Sequence, residues 1–209
     1  KKASNYNRHL SLDSAVAGVS YSGGNSNFTR EYFASYPDKV LVIKLAADGQ
    51  EKLNFDLSFP SAHGGLSTAK ANSIVTCGKL EDNDLQYYAR MDVVTGGKIA
   101  ANGEVLSVSE AESVVLVVAA ATDYAPIYPA YRTGESEEQP AKKVDEIIEK
   151  AVQKGYETLK AEHIADYKAL YDKVKFNIGA IDSNITTDRL LKKYRSGIIK
   201  PEQKKYLEE

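Results

Sequence analysis

Apolar and polar positions alternate every second residue over much of the chain up to about residue 120, and every three to four residues after about 140. Leu53, Phe55, Leu57 and Phe59 alternate with Asn54, Asp56 and Ser58. Leu85, Tyr87, Ala89, Met91 and Val93 alternate with Gln86, Tyr88, Arg90 and Asp92. Successive side chains of a strand point to opposite faces, so each run predicts a strand with one buried face. Residues 40–43 and 114–121 are apolar without a break, the pattern of strands covered on both faces. Further strands are predicted at 8–12, 15–21, 28–34, 73–79, 98–101 and 104–108, with 61–70 a loop able to carry a short strand.

Turn chemistry separates these segments. Gly23-Gly24-Asn25, Asp48-Gly49 and Gly96-Gly97 supply residues that tolerate positive φ, and Asn102-Gly103 predicts a type I′ hairpin. At Tyr36-Pro37-Asp38 the proline ring presets φ, and Asp38 is placed to bond the backbone that follows. Short strands with a turn every ten or so residues predict an antiparallel β-sandwich over 1–125. Residues 126–140 carry prolines, tyrosines and acidic Glu135–Glu138, and read as a linker. From Ala141 the period is helical: Val144, Ile147, Ile148, Ala151 and Val152 share a stripe that Tyr156, Leu159, His163, Tyr167, Leu170 and Tyr171 continue. Gly155 either ends a first helix or is tolerated within a longer one. A short strand is predicted at 175–179 and a last helix at 187–196 stopped by Gly197, so 141–209 forms a mainly helical C-terminal region.

Composition narrows the function classes. The net charge is −2 over 209 residues with both signs interspersed, which argues against nucleic acid and anionic membranes as partners. No apolar run reaches the roughly 18–20 residues of a membrane span. The chain starts at Lys1-Lys2 without an apolar leader, which suggests a piece of a longer protein. Cys77 is the single cysteine; at mid-strand it is expected to be a small buried apolar residue, not a reactive thiol.

Candidate chemistry is sparse. Glycoside cleavage needs two carboxyl groups about 5–10 Å apart, one of them shielded. Glu135, Glu137 and Glu138 sit in the polar linker and Asp123 at a strand end suited to a turn, so no residue is assigned a catalytic role. His9, His63 and His163 have no metal-ligand spacing, and His163 reads as a packed side chain beside Asp166 and Tyr167. Glu81-Asp82-Asn83-Asp84 lacks the spacing of a calcium loop and reads as a turn. No phosphate loop, dinucleotide fingerprint or serine elbow is present, and no cofactor is expected. Asn27-Phe28-Thr29 and Asn184-Ile185-Thr186 match the glycan acceptor pattern, which acts only in a eukaryotic secretory route.

The run 28–45, FTREYFASYPDKVLVIKL, resembles the N-terminal domain of glycoside hydrolase family 95, the α-L-fucosidases and their relatives. Arg8-His9-Leu10-Ser11-Leu12-Asp13-Ser14-Ala15, Ala119-Ala120-Ala121-Thr122-Asp123-Tyr124, the segments 156–159 and 163–167, and Thr186-Thr187-Asp188-Arg189-Leu190 resemble the same family in the same order. The resemblance implies a non-catalytic β-sandwich and helical linker that pack against a catalytic (α/α)6 barrel of the same polypeptide, the whole acting on an oligo- or polysaccharide. It also implies a secreted or periplasmic bacterial location. Strands usual before Arg8 in that family are missing here, so exposed sandwich edges are expected. With the barrel absent, the helical stripe is expected to be covered by a second copy, through Ile148 and Leu170. The competing expectation is a free-standing carbohydrate-binding or adhesion module using Tyr87, Tyr88 and Arg90 on an open sheet face.

Overall fold

In the computed structural model, which describes residues 3–136, 138–175 and 185–197, the chain divides into a unit spanning Lys1–Tyr171 and a second spanning Asp172–Glu209. Among its described residues the first holds eleven strands and two helices, namely β1 Ser4–Ser11, β2 Val16–Gly23, β3 Ser26–Ser35, β4 Val40–Gly49, β5 Leu53–Ser58, β6 Leu66–Lys70, β7 Ser73–Lys79, β8 Gln86–Thr95, β9 Lys98–Asn102, β10 Val105–Ala111, β11 Ser113–Thr122, α1 Gln139–Lys154 and α2 Tyr156–Tyr171. Eight strands form one antiparallel sheet in the order β1-β2-β3-β4-β11-β8-β7-β6, and β5-β10-β9 form a second. The predicted antiparallel sandwich with helices at its C-terminal side is the observed fold.

The uninterrupted apolar strands sit where the pattern requires. β11 is flanked by β4 and β8. Its Val114 and Leu116 enter a core shared with the small sheet, and its Val117 and Ala119 enter a core shared with the helices. β4 divides in the same way, with Val40 and Val42 towards the helices and Ile43 and Leu45 towards the small sheet. Leu41 departs from the expectation of full cover: it is 41% exposed, because the small sheet stops short of that end of the strand.

The helices are an outer layer of the sandwich and not a loose appendage. Val144, Ile148 and Ala151 of α1 and Leu159 of α2 are buried in one cluster with Val16, Phe33, Val42 and Val117 of the large sheet. The expected exposed stripe is therefore folded back onto the chain's own sheet, and the premise for self-association through Ile148, which is fully buried, does not hold. Leu170 alone of the proposed pair stays outside, 66% exposed. Gly155, at φ +78, ends α1 and lets α2 begin at once.

Two turns differ in detail from expectation. Asn102 pairs with Val105, so the central residues are Gly103 and Glu104. Only Gly103 has positive φ, the II′ pattern and not I′. Asp38 is held by side chains, accepting from Ser35 Oγ at 2.6 Å and from Lys154 Nζ. Residues 66–70 form the short strand β6, as the loop reading allowed. In the second unit, α3 spans Thr187–Arg195. The predicted strand beyond Lys175, the acceptor Asn184 and Glu137 lie outside the described residues.

Candidate functional site

The large sheet offers two faces, and the strand register assigns side chains to them. On the outer face, towards the helices, lie Gln86, Tyr88, Arg90 and Asp92 of β8. Alternation had marked these as the polar side of a half-buried strand, yet α1 covers them. Arg90 grips Asp92 in a fork, Nε to Oδ1 at 2.7 Å and Nη2 to Oδ2 at 2.8 Å, and donates Nη1 to Asp145 of α1 at 2.9 Å. Ser73 Oγ donates to Asp92 Oδ1 at 2.6 Å, and the Tyr88 hydroxyl to Asp145 at 3.4 Å. The bonds to Asp92 raise the Arg90 pKa despite burial, and burial followed by the Asp145 charge raises that of Tyr88. Tyr88 and Arg90 therefore serve as a seat for α1 and do not stand on an open sheet face. Tyr87 points the other way, its hydroxyl on Ser61, in a space open only because Gly65 and Gly78 carry no Cβ: one on Gly65 would stand 2.1 Å from that oxygen.

A second tether lies further along the outer face. Lys160 Nζ donates to both oxygens of Glu31 at 2.8 and 3.0 Å, and the Tyr156 hydroxyl donates to Glu31 as well. Burial pushes the Glu31 pKa up, but the Lys160 and Tyr156 bonds outweigh it and hold the carboxyl below its ordinary range. Burial, then the bond to Glu31, pushes Tyr156 well up. Lys154 bridges Asp38 and Glu162, and Lys168 meets Asp13 at 2.8 Å. These contacts register both helices on the sheet beyond what an apolar stripe can specify.

The inner face of the large sheet is only half covered. The small sheet lies over β4, β11, β8 and β7, leaving the inner side of β2 and β3 open. There a groove of about 500 Å3 runs between β2–β4 and the β5 strand. Tyr21 and Phe28 are cross-strand partners, their rings near-parallel with centroids 5.1 Å apart. The Arg30 guanidinium carbon sits 5.8 Å from the centre of the Tyr21 ring. Burial lowers the Arg30 pKa, and bonding to Tyr21 and Tyr32 more than restores it. Leu45, Leu53 and Phe55 form the apolar floor, the flank of the core between the sheets. Lys52 at one end is paired with Glu112 at 2.5 Å. Among the described residues no acidic side chain lines it.

The remaining sequence candidates scatter. His163 is buried, its Nε2 3.2 Å from the Ala15 carbonyl oxygen, and it stacks on Phe33 at 5.0 Å. The His9 ring lies across Gly18, and His63 meets the edge of Tyr87. Among the described residues no group of three or more His, Cys, Asp or Glu is placed to share a metal ion. Asp123 accepts from the Gln86 amide at 3.0 Å and faces Arg132 at 3.4 Å, so it closes a loop. That loop includes much of the stretch read as a linker, which is braced further by the Thr133 amide on the Asp123 carbonyl at 2.8 Å. Glu81–Asp84 form the β7–β8 turn, with Asp84 at φ +56 and the Leu80 amide on Leu85 O at 2.9 Å. Cys77 is half-buried on the outer face, opposite Tyr88, and not enclosed. Glu135 and Glu138 are exposed. Tyr21, Phe28 and Arg30 were not singled out by the sequence. The signal was there: pairing symmetrically about the Gly24-Asn25 turn puts Tyr21 opposite Phe28 and Val19 opposite Arg30.

An antiparallel sandwich with two helices bound to its outer face defines a β-rich domain that carries its own C-terminal helical pair. Residues 1–126 match the family described as "Glycosyl hydrolase family 65, N-terminal domain", and the chain belongs to that family. A glycoside hydrolase N-terminal domain is what this family and the resemblance of the motifs to family 95 have in common. The chain is 30% identical over 210 aligned residues to "Alpha-L-fucosidase 2" of Arabidopsis thaliana, covering 88% of the chain and 25% of that protein. It is also 30% identical over 200 residues to "Probable alpha-fucosidase A" of Aspergillus niger, covering 88% of the chain and 24% of the relative. The chain thus spans about a quarter of the length of these relatives. A solved structure, "Putative kojibiose phosphorylase from human microbiome", superposes with a TM-score of 0.60 at 11% identity over 81% of this chain and 25% of its own, a likeness of fold.

Proposed function

We propose that the chain is the non-catalytic N-terminal part of a glycoside hydrolase of the α-L-fucosidase type, of the kind its motifs share with family 95. In this reading it holds the helical pair against its large sheet and presents the far end of α2 to an (α/α)6 catalytic barrel of the same polypeptide. The barrel, not this chain, supplies the carboxyl groups that cleave a fucosylated glycan, and an extracellular or periplasmic location fits such a substrate. The fucosidases among the relatives, of which the match covers 25% and 24%, support the reading.

The observation that carries it is the contrast along the helices. Ile148 and Leu159 are buried on the sheet, whereas Leu170 is 66% and Tyr171 42% exposed in the last turn of α2. Leu12, whose carbonyl accepts from the Tyr167 hydroxyl at 2.6 Å, is also exposed. Exposed apolar groups at the end of a rigidly seated helix are a docking feature. Hydrogen exchange tests it by comparing this chain alone with the longer parent protein. Amides of 166–171 and 10–14 are expected to exchange more slowly in the parent; equal exchange in the two would overturn the reading.

A further inference from the structure

The open groove on the inner face has no part in seating the helices or in the docking proposed above. It joins three features. The Tyr21–Phe28 pair gives an apolar aromatic wall. The floor of Leu45, Leu53 and Phe55 belongs to a core that is already formed, so the cavity of about 500 Å3 exists before any ligand arrives. Arg30 projects into it with two tyrosine hydroxyls as its neighbours and, among the described residues, no carboxylate partner. Elsewhere on this sheet a guanidinium is treated differently: Arg90, which is less exposed, has two carboxylates. A positioned guanidinium beside apolar surface, with no acid among the described lining residues, is complementary to a carboxylate, which it can grip through two parallel bonds.

We propose that this groove binds an anionic saccharide, a pyranose bearing a carboxylate, with the C–H face of the sugar on the Tyr21–Phe28 wall and its carboxylate on Arg30. The saccharide class rests on the reading of the chain as part of a glycan-processing protein. The two halves of the site match the two halves of such a ligand: aromatic rings offer a large rigid surface to an apolar sugar face, and Arg30 supplies the charge-assisted bonds. An extended peptide pairing with the β5 edge is the competing occupant. It would use the backbone of 53–58 and would have no need of Arg30.

Titration calorimetry on this chain decides the matter, with tetragalacturonate as the acidic probe and maltotetraose as the neutral one. Saturable binding of tetragalacturonate is expected, at least about tenfold tighter than maltotetraose, because bonds to a charged group carry most of the discrimination. Arg30→Gln is expected to remove at least about tenfold of the acidic probe's affinity while leaving the urea midpoint unchanged, since Arg30 is exposed. Phe28→Ala is expected to weaken both probes. No binding of tetragalacturonate at millimolar concentration, equal affinity for the two probes, or binding indifferent to Arg30→Gln would each overturn the proposal. None of these results bears on the docking of α2, which the exchange comparison tests separately.

Discussion

Ile148→Ala tests whether the helices are part of the folded domain or only rest on it. Ile148 is fully buried in the cluster that includes Val42, Val117 and Val144. The substitution removes three carbons, worth about 0.8 kcal/mol each in transfer free energy, or roughly 2.4 kcal/mol. It also leaves a cavity between a helix and a sheet whose positions Arg90 and Asp145 fix at 2.9 Å. Collapse onto that cavity is thereby opposed, and the loss should reach the middle of the roughly 2–5 kcal/mol range for such truncations, about 3 kcal/mol. Against a total stability on the order of 5–15 kcal/mol this is a large fraction. It corresponds to a fall in melting temperature of roughly 6–12 °C. The assay is urea unfolding followed by far-UV circular dichroism for the helices and by amide hydrogen exchange of β11 for the sheet. Both signals should shift together. A loss below about 0.5 kcal/mol, or a helical signal that melts while the β11 amides stay protected, would refute the reasoning. Leu170→Ala serves as control and should fall within about 0.5 kcal/mol of the parent, since the side chain is already in water.

Leu116→Ala, in the core between the two sheets, should cost roughly 2–5 kcal/mol in the same melts, and a near-neutral result would displace β11 from the centre. Glu31 gives a pH test with a defined sign. Its folded pKa lies below the ordinary 4.5, so its contribution is present above that value and is lost as pH falls through the folded one. Urea midpoints measured from pH 6 down to pH 3 should therefore fall more steeply for the parent than for Glu31→Gln, and parallel curves would remove Glu31 from the account.

What the sequence made legible follows from what periodicity can carry. Residues 40–43 and 114–121 announced strands covered on both faces because no polar side chain interrupts them, and both are central. Periodicity also marked the two sides of β8, but it does not say what covers the polar one. Gln86, Tyr88, Arg90 and Asp92 look alike in sequence whether they face water or a helix carrying Asp145. The stripe through Val144, Ile148 and Leu159 showed that some surface must meet it; whether that was a sister copy or the chain's own sheet is a matter of connection length and tertiary geometry. Gly155 matters there, since its positive φ ends α1 and lets α2 begin at once, with Leu159 buried on the same sheet. The groove escaped notice for another reason. It depends on where the three-stranded sheet stops, and nothing in residues 53–58 specifies which strands of the larger sheet they will leave uncovered.

The polar seat beneath α1 explains why a helix can be bound to this sheet in one position. An apolar stripe of Val144, Ile148 and Ala151 would tolerate a shift by one turn, since a similar row of side chains would still be buried. Arg90 removes that freedom. Its fork on Asp92 fixes the guanidinium plane, and the remaining Nη1 then points at a single place on the helix, where Asp145 stands. Asp92 is itself only 5% exposed, so the pair has little stability to spare for losing a partner. Glu31, bonded by both Tyr156 and Lys160, repeats the device for α2. Two charged clamps on one sheet thus set the helical pair in register. Where α2 runs past the sheet, the clamps determine the direction in which the exposed Leu170 and Tyr171 face.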